Sequence, residues 1–250
     1  MAGCDGGSDD AKPGDGSSGG NGGPKDRIGA VPTTEAEYNR RRNEMVDTIA
    51  KSSPGKRVLA AMRKVPRHEF VPPGLREQSY LNKDIPIAQG QNLTSPTLVA
   101  LMSQLLELSG TEKVLEIGTG TGYQAAILGE LASEVYTVEI IPEFAETART
   151  TLAELRKQGL LRDSKIECIV ADGHKGHPAA APYDAIIVTA AAAEVPPALQ
   201  AQLKEGGRLV IPVGEYYQEL MQITKNKGGT FSQKKMKVIR IIDLMELKEE

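Results

Sequence analysis

The stretch Val114-Leu115-Glu116-Ile117-Gly118-Thr119-Gly120-Thr121-Gly122-Tyr123 decides how this chain is read. Lys113–Ile117 is a short apolar strand, Gly118–Gly122 a glycine-rich turn, and Tyr123–Leu131 has helical patterning. Glycines at alternate positions let the main chain turn sharply and let a ligand approach it. A loop between a strand and the next helix lies at the carboxyl edge of the sheet, where doubly wound folds bind their ligands. Glu139 ends the following strand, 21 residues after Gly118. A carboxylate there can accept hydrogen bonds from both hydroxyls of a ribose.

The spacing argues about which nucleotide. Dinucleotide folds use Gly-x-Gly-x-x-Gly and set a pyrophosphate at the helix N-terminus. Here the spacing is Gly-x-Gly-x-Gly, and Glu116 sits two residues before the first glycine. That carboxylate repels a pyrophosphate and suits a ligand carrying an amino group. S-adenosylmethionine, with its ammonium, sulfonium and ribose, fits this description. A third acid, Asp172, ends another strand beside Gly173 and can accept a proton from an adenine amino group.

Outward from this core the pattern alternates. Val135–Val138, Lys165–Val170, Tyr183–Val188 and Arg208–Pro212 read as strands. Pro142–Lys157 and Pro197–Leu203 read as helices between them. Glu219–Thr224 and Lys237–Leu244 flank Gly228-Gly229 as a hairpin. Such alternation, ending in a hairpin, predicts an α/β fold: a doubly wound, mostly parallel sheet with an antiparallel end. Upstream, Glu35–Lys64 reads as two helices parted by Ser53-Pro54-Gly55, and Val65-Pro66 closes the second. Ser95-Pro96 opens a further helix, with Ser95 as its cap and Gly110 as its stop.

Composition sets the outer limits. The chain has 250 residues and a net charge of −3. No apolar run approaches the roughly 18 residues that span a bilayer. The slight acidity implies no general nucleic-acid surface. Cys4 and Cys168 lack metal-ligand spacing, and His174 and His177 near Asp172 read as solvent-exposed loop residues, so no metal is expected. Cys168 reads as a buried strand residue. Residues 1–30 hold ten glycines, and only Met1 and Ile28 among them are large and apolar. A segment that cannot bury enough surface to offset its ordering entropy reads as a disordered tail, taken as residues 1–34. Its small-small-Cys4 start also fits the lipid-attachment end of an exported lipoprotein. The lysines at 225, 227, 234, 235 and 237, with Arg240, read as a solvated basic hairpin, and Tyr216 and Tyr217 as groove-lining or sheet-capping residues.

Four further stretches narrow the reading. They are Ala61-Met62-Arg63-Lys64-Val65-Pro66-Arg67-His68-Glu69-Phe70-Val71-Pro72; Gly90-Gln91-Asn92-Leu93-Thr94-Ser95-Pro96; Asp172-Gly173 with Ile187-Val188-Thr189-Ala190-Ala191-Ala192; and Gly206-Gly207-Arg208-Leu209-Val210-Ile211-Pro212-Val213-Gly214. In this order and spacing, over residues 36–245, the chain resembles the protein-L-isoaspartate (D-aspartate) O-methyltransferase family of protein-repair enzymes. The resemblance implies a Rossmann-like, seven-stranded S-adenosylmethionine-dependent fold with extra N-terminal helices, and exchanged order in the last two strands. Residues 35–108 would shape the substrate site and 109–250 would hold the cofactor. It implies cofactor contacts at Ser95, Thr97, Glu116, Gly118, Thr119, Gly120, Gly122, Glu139, Ile140, Asp172, Gly173 and Gln218. Main-chain groups at Ala88, Gln89, Gly90, Val213 and Gly214 would meet an extended isoaspartyl peptide.

One departure stands out. The family motif usually reads Gln-Thr-Ile-Ser, whereas this chain has Gln91-Asn92-Leu93-Thr94. The active-site serine therefore falls on Thr94, which keeps a hydroxyl but adds a methyl group and restricts rotation. The implied acceptor is the α-carboxylate of an isoaspartyl residue, already ionised at neutral pH, so no strong base is needed. Positioning and exclusion of water would carry the rate. The methyl ester would then close to a succinimide, whose hydrolysis returns some normal aspartate.

The rivals differ at named residues. Amino-methylating enzymes carry Asn/Asp-Pro-Pro-aromatic after the fourth strand, where this chain has Thr189-Ala190-Ala191-Ala192-Ala193-Glu194. That counts against an RNA or small-molecule amine acceptor. A nicotinamide-dependent oxidoreductase or nucleotide sensor conflicts with the glycine spacing and Glu116. A non-catalytic S-adenosylmethionine-binding relative is the reading in which Thr94 marks lost activity. The expected protein is a cytoplasmic monomer, with tethering through Cys4 as the alternative.

Overall fold

The computed structural model describes residues 34–52, 54–215, 217–239, 241, 244 and 245. The glycine-rich tail with Cys4, and Ser53, Tyr216 and Arg240, lie outside the described residues.

The N-terminal part is built from helices. α1 (Glu35–Ala50) starts at Thr34, whose hydroxyl accepts a hydrogen bond from Glu37 N at 3.3 Å. It buries Met45, Val46 and Ile49, and α2 (Lys56–Lys64) buries Val58, Ala61 and Met62, so both present one apolar stripe to a common core. Short 3₁₀ turns at Arg67–Phe70 and Pro73–Gln78 lead to a two-stranded ribbon, β1 (Ile85–Pro86) and β2 (Asn92–Leu93). α3 (Pro96–Leu105) follows.

Ser95 holds the cap position of α3, but its side chain makes no capping bond. Asp84 and Asn82 do that work from the preceding loop, accepting from Ser95 N at 2.6 Å and Thr97 N at 3.0 Å. Nor does Gly110 end the helix: it stops at Leu105, and Glu107 takes the left-handed turn at φ 52°.

The sheet follows with β3 (Lys113–Ile117), α4 (Tyr123–Leu131), β4 (Glu134–Glu139), α5 (Pro142–Lys157), β5 (Lys165–Val170), β6 (Tyr183–Val188), α6 (Pro197–Ala201), β7 (Leu203–Val213), β8 (Gln218–Lys225) and β9 (Phe231–Ile239). Its seven strands lie in the order β5-β4-β3-β6-β7-β8-β9. The first five are parallel, and β8 and β9 are antiparallel and follow chain order outward. Reversal of strand order on either side of β3 puts a crevice at its carboxyl end.

Alternation along β3 divides the core between two faces. Leu115 and Ile117 join Val188, Leu199 and Leu209 on one, and Val114 joins Met102, Leu128 and Val210 on the other. Three expectations shift at the margins. The helix read as reaching Leu203 ends at Ala201, because Tyr183 pairs with Leu203 and draws that segment into the sheet. The strand read from Lys237 begins at Phe231, where Gln233, Lys234 and Lys235 pair with β8. As an edge strand it is held by backbone bonds and exposes its charged side chains, which conceals its period. Cys168, read as buried, is half-buried, because β5 forms the opposite edge.

Candidate active site

A cavity of about 590 Å³ opens at the carboxyl end of β3. One wall is the glycine loop. Gly118 has φ 95°, and a Cβ there would lie 2.4 Å from Thr189 Oγ1. That hydroxyl donates to the carbonyl oxygens of Ile117 (3.0 Å) and Gly118 (2.7 Å), so the loop's entry is stapled to the end of β6. Gly120, at φ 52°, lines the cavity with open space where a side chain would stand. Gly122 is the left-handed residue that opens α4.

Glu139 ties the same loop to β4. One carboxylate oxygen accepts from Gly120 N at 2.8 Å and the other from Ile141 N at 3.0 Å. Each oxygen has a second lone pair, so the group can still accept from a ligand at the cavity wall. Ile140, Ile141 and Phe144 continue this wall, and Gly173 approaches so closely that a Cβ would meet Ile117 Cγ2 at 2.3 Å.

Glu116 does not line the cavity. Its place on β3, two residues from Val114, turns it into the helix-covered face, where it is fully buried. Thr137 Oγ1 donates to Glu116 Oε2 at 2.6 Å, and Thr137 in turn shares a 2.6 Å hydrogen bond with Thr119, which does reach the cavity. Glu116 Oε1 has no partner among the described residues. Burial, reinforced by the charge of Glu139, pushes the Glu116 carboxyl up to about 8. The carboxylate expected to face a ligand thus stands one layer beneath it.

The opposite wall comes from the N-terminal part: Asp84, Ile87, Gln91, Leu93 and Thr94, with Val99 and Met102 of α3. Thr94 is half-buried, and its hydroxyl makes no hydrogen bond to another described residue. Behind it lies Arg67, fully buried, with its guanidinium carbon 4.6 Å from the centre of the Tyr123 ring. Burial lowers the Arg67 pKa, yet a guanidinium stays charged.

Most of the other expected residues fall outside the cavity wall. Ser95 and Thr97 form the first turn of α3. Ala88, Gln89 and Gly90 are the exposed tip of the β1–β2 ribbon, with Gln89 and Gly90 at positive φ. Val213 and Gly214 end β7, and the Gly214 N–H is committed to Ala192 O at 2.9 Å. Asp172 caps the Gly173–Lys175 turn, accepting from His174 N at 2.9 Å. Gln218 lines the cavity, but its amide spans the backbone of Ile241, accepting from its N–H at 2.6 Å and donating to its carbonyl at 3.1 Å.

The loop histidines are less exposed than expected. His174 lies against Asp172, and His177 stacks on Tyr136. Among the described residues no group of His, Cys, Asp or Glu has the grouping to hold a metal. Tyr217 is 84% exposed. Sequence reasoning missed Thr137, Thr189, Asp84 and, on a further side of the cavity, Ile241, Leu244 and Met245. The threonines had a usable signal, since Thr137 pairs with Glu116 once adjacent parallel strands are aligned.

Comparison with known proteins points to one family and bears out the fold. The model of the protein-L-isoaspartate(D-aspartate) O-methyltransferase family matches residues 40–249. A protein-L-isoaspartate O-methyltransferase of Methanoculleus marisnigri is 48% identical over 192 residues, 76% of this chain and 84% of that protein. A second, of Nitrosospira multiformis, is 44% identical over 220 residues, 86% of this chain and 91% of that protein. A solved protein-L-isoaspartate O-methyltransferase superposes with a TM-score of 0.70 at 26% identity, covering 81% of this chain and 65% of the solved one. A structure from Plasmodium falciparum, in complex with S-adenosyl-L-homocysteine, superposes at 0.69. At 20% identity over 82% of this chain and 98% of that one, it speaks to the fold alone.

Proposed function

The chain belongs to the protein-L-isoaspartate(D-aspartate) O-methyltransferase family, and from that premise we propose how its cavity performs the family's reaction. The protein is an S-adenosylmethionine-dependent methyltransferase that acts on isoaspartyl residues of damaged proteins. The observation that carries the site assignment is the cavity itself, with Thr94 on one wall and the Gly118–Gly120 loop with Glu139 on the other.

The residues fit the cofactor on structural grounds. Gly120 leaves space where any larger residue would intrude. Glu139 keeps unused lone pairs at the wall, suited to a ribose. Bound S-adenosylmethionine supplies a methyl group on a sulfonium, activated for displacement. Gly118, Thr119, Gly120, Glu139, Ile140 and Gly173, which line the cavity, would hold it. Glu116 supports Thr119 from below through Thr137, rather than contacting an ammonium.

Thr94 donates its hydroxyl proton in a hydrogen bond to the acceptor carboxylate and orients it. The acceptor is ionised at neutral pH, so no residue takes a proton. Water exclusion falls to Leu93, Val99, Met102 and Phe144, whose apolar side chains share the cavity. Residues 35–108 shape the substrate side and 109–250 the cofactor side. No helix among the described residues is long and apolar enough to cross a membrane. A cytoplasmic monomer, working where the cofactor is made, completes the proposal; light scattering and cell fractionation check it.

The test is incubation with methyl-labelled S-adenosylmethionine and a matched pair of peptides, one isoaspartyl and one aspartyl. Base-labile label on the isoaspartyl peptide alone is the expected result. Cofactor binding with neither peptide labelled would point instead to a non-catalytic relative.

A further inference from the structure

The peptide unit joining Thr94 to Ser95 is gripped at both ends by charged side chains. Arg67 Nη2 donates to Thr94 O at 2.9 Å, and Asp84 Oδ1 accepts from Ser95 N at 2.6 Å. The signs match the peptide dipole, with the cation at the carbonyl and the anion at the N–H. Hydrogen bonds to ionised groups are roughly twice as strong as neutral ones. A peptide unit is planar, so holding its two poles restrains its tilt and, through the Cα that peptide and side chain share, narrows the directions open to the Thr94 side chain.

Arg67 is itself immobilised. Its Nε donates to Ser79 O at 2.9 Å, its face lies over Tyr123, and it is wholly buried. It does not line the cavity and can act only through the backbone it holds. Asp84 sits on an exposed loop at the cavity rim. An ordinary helix cap would need neither the buried cation nor the second pole. Asn82 makes such a cap next door, on Thr97 N alone.

We propose that Arg67 and Asp84 are positioning residues that aim the Thr94 hydroxyl by clamping the Thr94–Ser95 peptide from opposite ends. The proposal rests on the reading of Thr94 as the group that orients the acceptor. It bears on the substitution of threonine for the family serine. With its backbone clamped, a β-branched residue has few χ1 choices, so the clamp selects where its hydroxyl points.

A double-mutant cycle tests it, with single-turnover methylation of an isoaspartyl peptide at saturating S-adenosylmethionine. Thr94→Val keeps the shape and removes the hydroxyl. Asp84→Asn keeps the loop and weakens one pole. The expected result is a loss of about tenfold in rate for Asp84→Asn, with KM for the cofactor unchanged within about twofold, because misplacement of a positioning group is felt in the chemical step. In the Thr94→Val background the Asp84→Asn loss should vanish, since no hydroxyl remains to aim. Equal losses in both backgrounds would overturn the clamp and leave Asp84 as a helix cap. A wild-type rate for Thr94→Val alone would sink the reading of Thr94, and the clamp with it. Arg67→Lys keeps charge but loses the planar fork. If folded Arg67→Lys retains the wild-type rate, Arg67 has no part in positioning; if it does not fold, the Asp84→Asn cycle decides the clamp alone.

Discussion

The two walls of the cavity are built on opposite plans. The sheet wall is built on strand ends: β3, the glycine loop and the end of β4 span residues 113–139, and its fixed points are backbone conformations, the Glu139 carboxylate and the Thr189 hydroxyl at the end of β6. The N-terminal wall is assembled from loops and turns, outside the sheet. Arg67 holds the carbonyls of Ser79 and Thr94, and Asp84 holds Ser95. The first plan fixes its wall through strand ends that cannot move without unpairing the sheet. The second sets one side chain through a chain of side-chain-to-backbone links, which allows a different acceptor geometry without disturbing the core.

The contrast can be broken most severely at Gly118. Gly118→Val forces a β-branched residue to φ 95° against Thr189. Strain of this kind costs about 1–3 kcal/mol; a loop that moves to relieve it gives up as much in cofactor affinity, up to roughly 100-fold. Calorimetric titration with S-adenosylhomocysteine should show that loss. Glu139→Ala is next, since it releases two backbone donors and the wall carboxylate together. Bonds to a charged group contribute about 1.5–3 kcal/mol, so cofactor affinity should fall by an order of magnitude or more, read by the same titration.

The pH dependence of stability separates the walls more gently. The ordinary glutamate value is 4.5, and folded Glu116 stands near 8. Below about 4.5 both states hold the proton. As pH rises, the unfolded chain ionises first, so stability falls until the folded group ionises as well. Thermal melts should therefore show the wild type losing ground to Glu116→Gln between about pH 5 and pH 8.

His68, in the other wall's scaffold, works in the opposite sense. It stacks on Tyr38, meets Tyr80 Oη at 2.7 Å, and lies near Glu35 and Glu69. Burial, then the charges of Arg42 and Arg76, pulls it down from 6.5 to about 4. Its contribution is complete above 6.5 and is lost as pH falls towards 4. His68→Gln should flatten that acid-side decline in melts between pH 7 and pH 4. The smallest effect is Asn82→Ala, which removes the cap on Thr97 and should cost about 1 kcal/mol in urea unfolding.

What was legible in the sequence follows the same division. Strand–glycine loop–helix and the carboxylate of Glu139 show themselves by period and spacing, and the structure places them where the pattern does. The face of Glu116 was readable too: counting by twos from Val114 sends it under the helices, and the ligand argument obscured that. The grip on Thr94 leaves no such trace, because Arg67, Ser79, Asp84 and Thr94 share no period and meet only through the fold. Thr94 itself was found by resemblance. The first part of β9 escaped for a different reason: its pairing is carried by backbone, and its side chains follow solvent.

Those exposed side chains have a further consequence. Lys234, Lys235 and Lys237 stand along the last strand, whose outer edge has no neighbour among the described strands. A bare edge is a template for any extended chain, and lysines along it make such pairing unfavourable. An enzyme that handles aged and damaged polypeptides meets many partly unfolded strands. This one presents them with a charged border, which makes their recruitment into its sheet unfavourable.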